Sequence, residues 1–156
     1  MIDRKARDKA AEHIRRFISG QISNFKLEKD TPNTEDRGVL AIYHSLWCYY
    51  DDFIEHKLSG EMALPDETLR QLTRWVIFLH SDEEYLWPAI SYPGVRPIEH
   101  GFFSKLLNGP DKEQKFMAAG DYSVWPFIDK DTYNIARKRP KLLSAKVNGS
   151  TNSDNQ

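Results

Sequence analysis

Apolar residues in the first 25 positions recur at intervals of three and four. From Asp3 to about Phe25, seven apolar residues follow this spacing while charged residues fill much of the remainder: Ala6, Ala10, Ile14, Phe17, Ile18, Ile22 and Phe25. The spacing places these side chains on one face of a helix. It predicts an amphipathic first helix, which Ser19-Gly20 weakens near its C-terminal half because glycine costs about 1 kcal/mol relative to alanine in a helix interior.

A second helix is predicted from Thr31-Pro32 to about Leu58. Threonine suits the capping position before a helix, and proline suits the first turn, where a backbone N–H is not needed. Ser59-Gly60 provides a stop, since glycine accepts the left-handed geometry beyond a last turn. Apolar residues cover most of the circumference of this segment, which is typical of the central helix of a bundle.

A third helix is predicted to begin at Pro65-Asp66, and its apolar stripe has helical spacing: Leu69, Leu72, Trp75, Val76 and Leu79. Ser81 and Glu84 have the spacing of a capping box, in which each side chain satisfies a backbone donor of the other residue. The third helix therefore either breaks at Ser81 and restarts, or continues to Trp87, where Pro88 ends it.

Prolines and glycines divide the chain after Pro88 into short pieces. We expect short helices over Glu99–Leu107, Pro110–Ala119 and Asp131–Lys138, and an extended segment over Tyr122–Ile128. Residues 141–156 are predicted to be a disordered tail, because they contain too little apolar surface to offset the entropy of ordering. The predicted fold class is mainly α: a compact helical bundle of three longer N-terminal helices, with an irregular C-terminal half rich in proline and aromatic residues, in one domain over residues 1–140.

The Trp-Pro pair occurs twice, at Trp87-Pro88 and at Trp125-Pro126, each time before an apolar pair. Two short matches do not make a repeat family. We interpret the two tryptophans as aromatic plugs that each end an element. The alternative is an aromatic groove that binds a peptide.

The composition fits one ordinary domain of 156 residues with 40% apolar and 29% charged residues. Cys48 is the single cysteine, so it has no internal disulfide partner. The first 20 residues are charged from Asp3 onward and do not resemble a signal peptide, which predicts a cytoplasmic protein. No stretch approaches the roughly 18 consecutive apolar residues of a membrane span.

The net charge is −1, but the charge is unevenly distributed. Residues 31–100 hold five Lys/Arg against twelve Asp/Glu, so this middle part carries −7. An acidic middle part argues against nucleic-acid binding, because that affinity depends on cations that neutralise phosphates. The glycine-rich phosphate loops are absent as well, which removes the usual nucleotide-binding signatures but not every nucleotide site.

One strip of the predicted second helix is polar. At 3.6 residues per turn the strip contains His44, Cys48, Asp51, Asp52, Glu55 and Ser59. If the strip lines a cleft, the chain is a small-ligand or metal-binding enzyme. Its ligands would be His44, Glu55 and His80, since a short connection would make the second and third helices neighbours and bring the two histidines toward each other. However, the Glu-x-x-His motif of di-iron bundles does not occur, and no cofactor, metal or catalytic residue is predicted.

If the strip faces solvent, it belongs to an acidic surface that binds a protein partner with a basic surface. The predicted binding residues are the acidic side chains and one aromatic anchor: Asp51, Asp52, Glu55, Asp82, Glu83, Glu84 and Trp87. An acidic patch accelerates association with a cationic surface. We favour this non-enzymatic function, and small bacterial immunity or antitoxin proteins have a similar physical profile. A homo-oligomer that packs through the second helix is a further possibility.

Overall fold

The computed structural model describes residues 1–96 and 109–138. This part of the chain is mainly α-helical, as predicted, and contains six α-helices: α1 Arg4–Ile18, α2 Asn24–Lys29, α3 Arg37–Leu46, α4 Asp66–His80, α5 Gly109–Met117 and α6 Lys130–Arg137. Short 3-10 turns lie at Trp47–Tyr49, Gly60–Met62 and Tyr122–Val124.

The predicted first helix is two helices. The Asp3 carboxylate accepts a hydrogen bond from the backbone N–H of Ala6 and so caps the start of α1. Gly20 has a φ of +69°, which turns the chain after α1. The Ser23 hydroxyl then accepts from the N–H of Lys26 and caps α2. The sequence indicated a weak point at Ser19-Gly20, but the prediction of one helix as far as Phe25 is wrong.

The predicted second helix is wrong at both ends. Helix α3 begins after Asp36, whose carboxylate accepts from the N–H groups of Gly38 and Val39, and not at Thr31-Pro32. It ends at Leu46 and passes into the 3-10 turn. Residues 50–58 follow an irregular path in place of roughly the last two and a half turns of the predicted helix.

The third helix begins at Asp66 as predicted and ends at His80. It neither continues to Trp87 nor restarts within the described residues 81–96. The Ser81 hydroxyl donates to the Phe78 carbonyl and accepts from the N–H of Glu83. These bonds close a turn at the helix end and make no use of Glu84, so the predicted capping box is not formed.

Two of the three short helices predicted in the C-terminal half are confirmed in the described residues. Helices α5 and α6 lie within two residues of the predicted bounds 110–119 and 131–138. The predicted extended segment over Tyr122–Ile128 is wrong, because it starts with a 3-10 turn capped by the Asp121 carboxylate. The helix predicted over 99–107 and the tail predicted over 141–156 lie outside the described residues.

Both Trp-Pro tryptophans are buried in the core, as the plug interpretation predicts, but only Trp125 directly follows an element, because α4 ends at His80, seven residues before Trp87. The rings of Trp75 and Trp125 meet edge to face, with centroids 5.2 Å apart. The indole N–H of Trp87 donates to the carbonyls of Pro126 and Phe127 at 3.1 Å. These contacts tie the segment after α4 to the segment before α6, so the irregular half of the chain shares one core with the helices.

A buried ion pair joins the starts of α1 and α3. Arg7 donates from Nε to Asp36 Oδ2 at 2.7 Å and from Nη2 to Oδ1 at 3.2 Å, and both side chains are almost completely buried. Arg7 also donates to the carbonyls of Ser81 and Glu83, and its guanidinium lies 4.9 Å from the centre of the Phe78 ring. The start of α1 is thus fixed against the end of α4.

Within residues 1–96 and 109–138, no helix combines the length and the apolar content that crossing a bilayer requires.

Candidate binding surface

The chain leaves the helical path after Tyr49, where the Asp51 side chain bonds to the backbone of the residues that follow it. The Asp51 carboxylate accepts from the N–H groups of Phe53 and Ile54, both at 2.8 Å. These two bonds hold the pKa of Asp51 below its usual value. Aspartate side chains that capture nearby backbone donors compete with helix formation. Asp51 therefore ends the region that the apolar pattern would continue as helix.

Asn24 fixes residues 51–56 from the start of α2. Its side chain is buried, and Nδ2 donates to the carbonyls of Asp51 at 2.9 Å and Ile54 at 3.0 Å. Its Oδ1 accepts from the N–H of His56 at 2.8 Å, and its own backbone N–H donates to the His56 carbonyl at 3.0 Å. One residue thus satisfies four polar groups of a segment that has no helix or strand to satisfy them.

The three carboxylates of this segment differ in their roles. Asp51 closes the turn, and Glu55 accepts from the hydroxyl of Ser23, the residue that caps α2. Asp52 is exposed and makes no hydrogen bond or ion pair with the described residues. Asp52 is therefore the one carboxylate of the three whose charge can be changed without removing a bond that shapes the loop.

Large apolar side chains are exposed on the same segment. Phe53 is 93% exposed and Ile54 is 64% exposed. The partly exposed ring of Trp47 packs against Tyr50 with centroids 4.6 Å apart, and the centroid of the Phe25 ring lies 6.1 Å from that of Tyr50. We call the following residues the loop surface: Phe25, Trp47, Tyr50, Asp51, Asp52, Phe53, Ile54 and Glu55.

Tyr50 connects the loop surface to α2. Its hydroxyl donates to the Glu28 carboxylate, and this bond raises the pKa of Tyr50 to about 12. This bond and the ring contacts with Trp47 and Phe25 hold the Tyr50 ring. Tyr50 therefore supports the loop surface as a neutral phenol at physiological pH.

The predicted acidic surface is divided into two groups. Asp51, Asp52 and Glu55 lie beside Ser23 and Asn24, beyond the end of α1, whereas residues 82–84 lie at its start. There Asp82 pairs with Arg4 at 3.2 Å, and Arg4 also donates to carbonyls at the end of α4. Because 15 helical residues span about 22 Å, the prediction of one continuous surface over both groups needs correction.

Of the second acidic group, Asp82 and Glu84 are exposed and Glu83 is half-buried. The Glu83 backbone takes part in the Arg7 network through its carbonyl. This group therefore belongs to the joint between α1 and α4.

Trp87 is completely buried, so the prediction that it is a surface anchor is wrong. Its ring packs against Phe116 with centroids 4.8 Å apart. The exposed aromatic residues Phe53 and Trp47 were missed by the sequence interpretation, which placed both on the buried side of a helix that does not extend that far. A hint was present in the consecutive aspartates at 51 and 52, which favour turns.

The structure does not assemble the alternative metal site. His44 is exposed on α3, Glu55 bonds to Ser23, and His80 lies at the end of α4 with Nδ1 3.9 Å from Asp8. The described residues contain no group of three or more His, Cys, Asp or Glu that could hold a metal ion. The physical reason is that α3 ends at Leu46. Glu55 therefore does not lie on the same helix as His44, and the predicted polar strip that would have carried both residues is not formed.

Comparison of the chain with protein-family models, with curated proteins and with solved structures gives no match. The proposed function therefore rests on the geometry of the described residues.

Proposed function

We propose that the chain is a non-enzymatic, cytoplasmic protein-binding domain, and that the loop surface docks on a partner with a basic surface. The observation that carries this proposal is the exposure of Phe53 and Ile54 on a segment that buried Asn24 fixes through four hydrogen bonds. Because these two side chains are exposed to water, they contribute little apolar burial to the stability of the isolated chain.

Burial of Phe53 and Ile54 against a partner supplies a driving force for binding. Transfer of a phenylalanine or isoleucine side chain out of water contributes about 1.5–3 kcal/mol each. Apolar residues surrounded by polar ones mark interaction sites, and aromatic residues are prominent among the side chains that dominate binding energy. Because Asn24 and Asp51 already order the loop, the entropy lost on binding is reduced.

The charge of the loop selects the partner. Residues 50–58 contain Asp51, Asp52 and Glu55 against Lys57, a net charge of −2 with histidine neutral. A complementary partner carries an apolar pocket for Phe53 with Lys or Arg at its rim. Long-range attraction between such surfaces raises association rates and disfavours acidic competitors. An immunity- or antitoxin-like role, in which a small protein covers a basic surface of its target, is a function of this kind.

Affinity capture with matched baits tests the proposal. Wild-type protein, the double variant Phe53→Ser/Ile54→Ser and the control Leu86→Ser are used as baits in lysates of the source cells, and retained proteins are quantified by mass spectrometry. Leu86 is 59% exposed and lies in the segment after α4, so the control removes a comparable apolar side chain elsewhere. Each protein that distinguishes the baits is then purified and its binary binding is measured.

We expect a basic protein that wild type and the Leu86 control retain equally and that the loop variant loses, with the same ranking in the binary measurement. Retention of the same proteins by all three baits would count against the loop surface as the docking site. A partner with an acidic surface that the loop variant loses would contradict the proposed charge attraction. It would still support docking through Phe53 and Ile54.

A further inference from the structure

An open groove lies on the side of α4 that faces α6. Its volume is about 1050 Å³, which is at the upper end of the range of small-molecule sites. One wall consists of the exposed side of α4, and the others come from Gly94–Arg96, the 3-10 turn at Tyr122 and helix α6. Its lining residues include four arginines and three tyrosines: Arg70, Arg74, Arg96, Arg137, Tyr49, Tyr122 and Tyr133.

Arg74 lines the groove as a half-buried cation that forms no salt bridge with the described residues, although the charge of Asp121 acts on it. Its Nε donates to the Trp125 carbonyl at 2.8 Å, which fixes the guanidinium in place. The terminal amino groups bond to no acceptor in residues 1–96 and 109–138. Arginine stays charged in proteins, and its planar fork of donors matches the oxygens of phosphates and carboxylates. Arg74 is thus a positioned cation with unused donors.

Two further arginines that line the groove are exposed. Arg70 lies one helical turn before Arg74, and Arg137 on α6 places its guanidinium 5.9 Å from the centre of the Tyr133 ring. Within the described part of the chain neither has an ion-pair partner. Arg96 differs, because it pairs with Glu113 at 2.8 Å and donates to the Ser91 carbonyl. Arg96 therefore forms the wall, while the other three arginines provide positive charge to the groove.

The groove is lined by carboxylates as well as by arginines. Asp66 and Glu67 line it from the first turn of α4, and eight residues along the helix separate Asp66 from Arg74, about 12 Å. Three half-buried tyrosine rings also line the groove: Tyr49, Tyr122 and Tyr133. A ligand that suits this layout has an anionic group for the arginines, a planar group for the rings, and hydroxyl or amino donors for the carboxylates.

We propose that this groove binds a phosphorylated small molecule with a planar ring, of the nucleoside diphosphate class. Phosphate groups accept bidentate hydrogen bonds from arginine, and bases stack on aromatic rings. Ribose hydroxyls donate to carboxylates, as in other nucleotide sites. Recognition would rest on side chains, since the chain has no glycine-rich phosphate loop. The proposal is independent of the loop surface, because it uses neither Phe53 nor the carboxylates of residues 51–55.

Titration calorimetry with ADP as the probe tests this site. The groove variant is Arg70→Glu/Arg137→Glu, and the control is Arg15→Glu/Arg16→Glu, which makes the same charge change on exposed residues of α1. Adenosine and inorganic phosphate are titrated separately to distinguish ring recognition from binding of any anion. Circular dichroism of each variant verifies that the helices are retained.

We expect saturable ADP binding that the groove variant weakens by about tenfold or more, while the control stays within about twofold of wild type. We also expect adenosine and inorganic phosphate to bind at least about tenfold more weakly than ADP. ADP binding weaker than about 1 mM would overturn the proposal. Equal losses in both double variants, or phosphate binding as tightly as ADP, would overturn it as well.

Discussion

Asn24 and His56 are joined by two reciprocal hydrogen bonds. The Asn24 backbone N–H donates to the His56 carbonyl at 3.0 Å, and the His56 N–H donates to Asn24 Oδ1 at 2.8 Å. Together with the two bonds from Asn24 Nδ2, they attach the loop surface to the start of α2. The exposed apolar residues Phe53 and Ile54 therefore stand on a fixed backbone, and this rigidity makes them suitable as anchors for a partner.

Replacement of Asn24 by alanine removes three of these four bonds and leaves buried polar groups without partners. We expect the free energy of unfolding to fall by about 1–3 kcal/mol. The His56 amide should also exchange its hydrogen faster, because its acceptor is lost. Urea unfolding and hydrogen exchange measure the two effects. Asn33→Ala, an exposed change of the same type, should alter the stability by no more than about 0.5 kcal/mol. Unchanged exchange at His56 would show that Asn24 does not hold the loop.

Replacement of Arg7 by methionine leaves the carboxylate of Asp36 buried without its cation. We expect a loss of about 3–5 kcal/mol in the free energy of unfolding, or no cooperative transition at all. Arg16→Met changes an exposed residue of the same helix and should cost no more than about 0.5 kcal/mol. If the urea midpoints of the two variants coincide, the buried pair does not connect α1 to α3 in the way described.

The stability should fall in acid partly because of Asp36. Burial alone would raise the pKa of Asp36, but the hydrogen bonds from Arg7 and from the N–H groups of Asp3 and Gly38 outweigh it and hold the pKa below its usual value. Because the folded state binds this proton more weakly than the unfolded state, the contribution is complete above the unfolded pKa. It is lost as the pH falls through the folded pKa.

Urea unfolding between about pH 6 and pH 2 measures this contribution. Asp36→Asn should be less stable than wild type near neutral pH and should lose less stability on acidification. Glu12→Gln, a change at an exposed residue of α1, serves as the control and should follow the wild-type curve. Parallel curves for wild type and Asp36→Asn would contradict the assignment.

The sequence predicted α4 and the weak point after α1 from local signals, although the local caps at Ser23 and Asp36 were not recognised. The Pro65-Asp66 start and the stripe from Leu69 to Leu79 determine α4, and Gly20 marks the end of α1. The end of α3 could not be predicted in this way, because the apolar pattern continues to Leu58 in the sequence. The irregular path that replaces the rest of the predicted helix is held by Asp51, whose hydrogen bonds are local, and by Asn24, which lies 27 residues earlier and has no signal of its own.

For the loop surface, the sequence predicted the exposed negative charge but not the irregular backbone that carries it. Asp52 was expected to be exposed, and it is. Trp87 was expected at the surface because aromatic residues anchor interfaces, but its size favours the core, where its N–H finds two carbonyl acceptors. Phe53 is an anchor candidate only once the helix is known to stop before it. The periodicity of apolar residues does not show where the helix stops, because the residues after it are held by tertiary hydrogen bonds from Asn24.

A single charge reversal at Asp52 tests the role of the loop's charge. We expect Asp52→Lys to slow association with the captured partner by roughly threefold to tenfold at low ionic strength, and the difference should shrink as salt is added. Asp51 and Glu55 are unsuitable for this test because their carboxylates bond within the fold. Stopped-flow measurement compares this variant with Glu12→Lys on α1, which should associate nearly as fast as wild type. Equal rates for all three proteins would contradict electrostatic steering by the loop.

The affinity of the purified partner for Phe53→Ala, compared with Leu86→Ala and wild type, tests the central claim most directly. Both variants remove an exposed apolar side chain, so they differ in position more than in chemistry. If the loop surface is the docking site, Phe53→Ala weakens binding by roughly 30-fold, about 2 kcal/mol, and Leu86→Ala leaves it nearly unchanged. A dissociation constant for Phe53→Ala within about twofold of the wild-type value would contradict the claim.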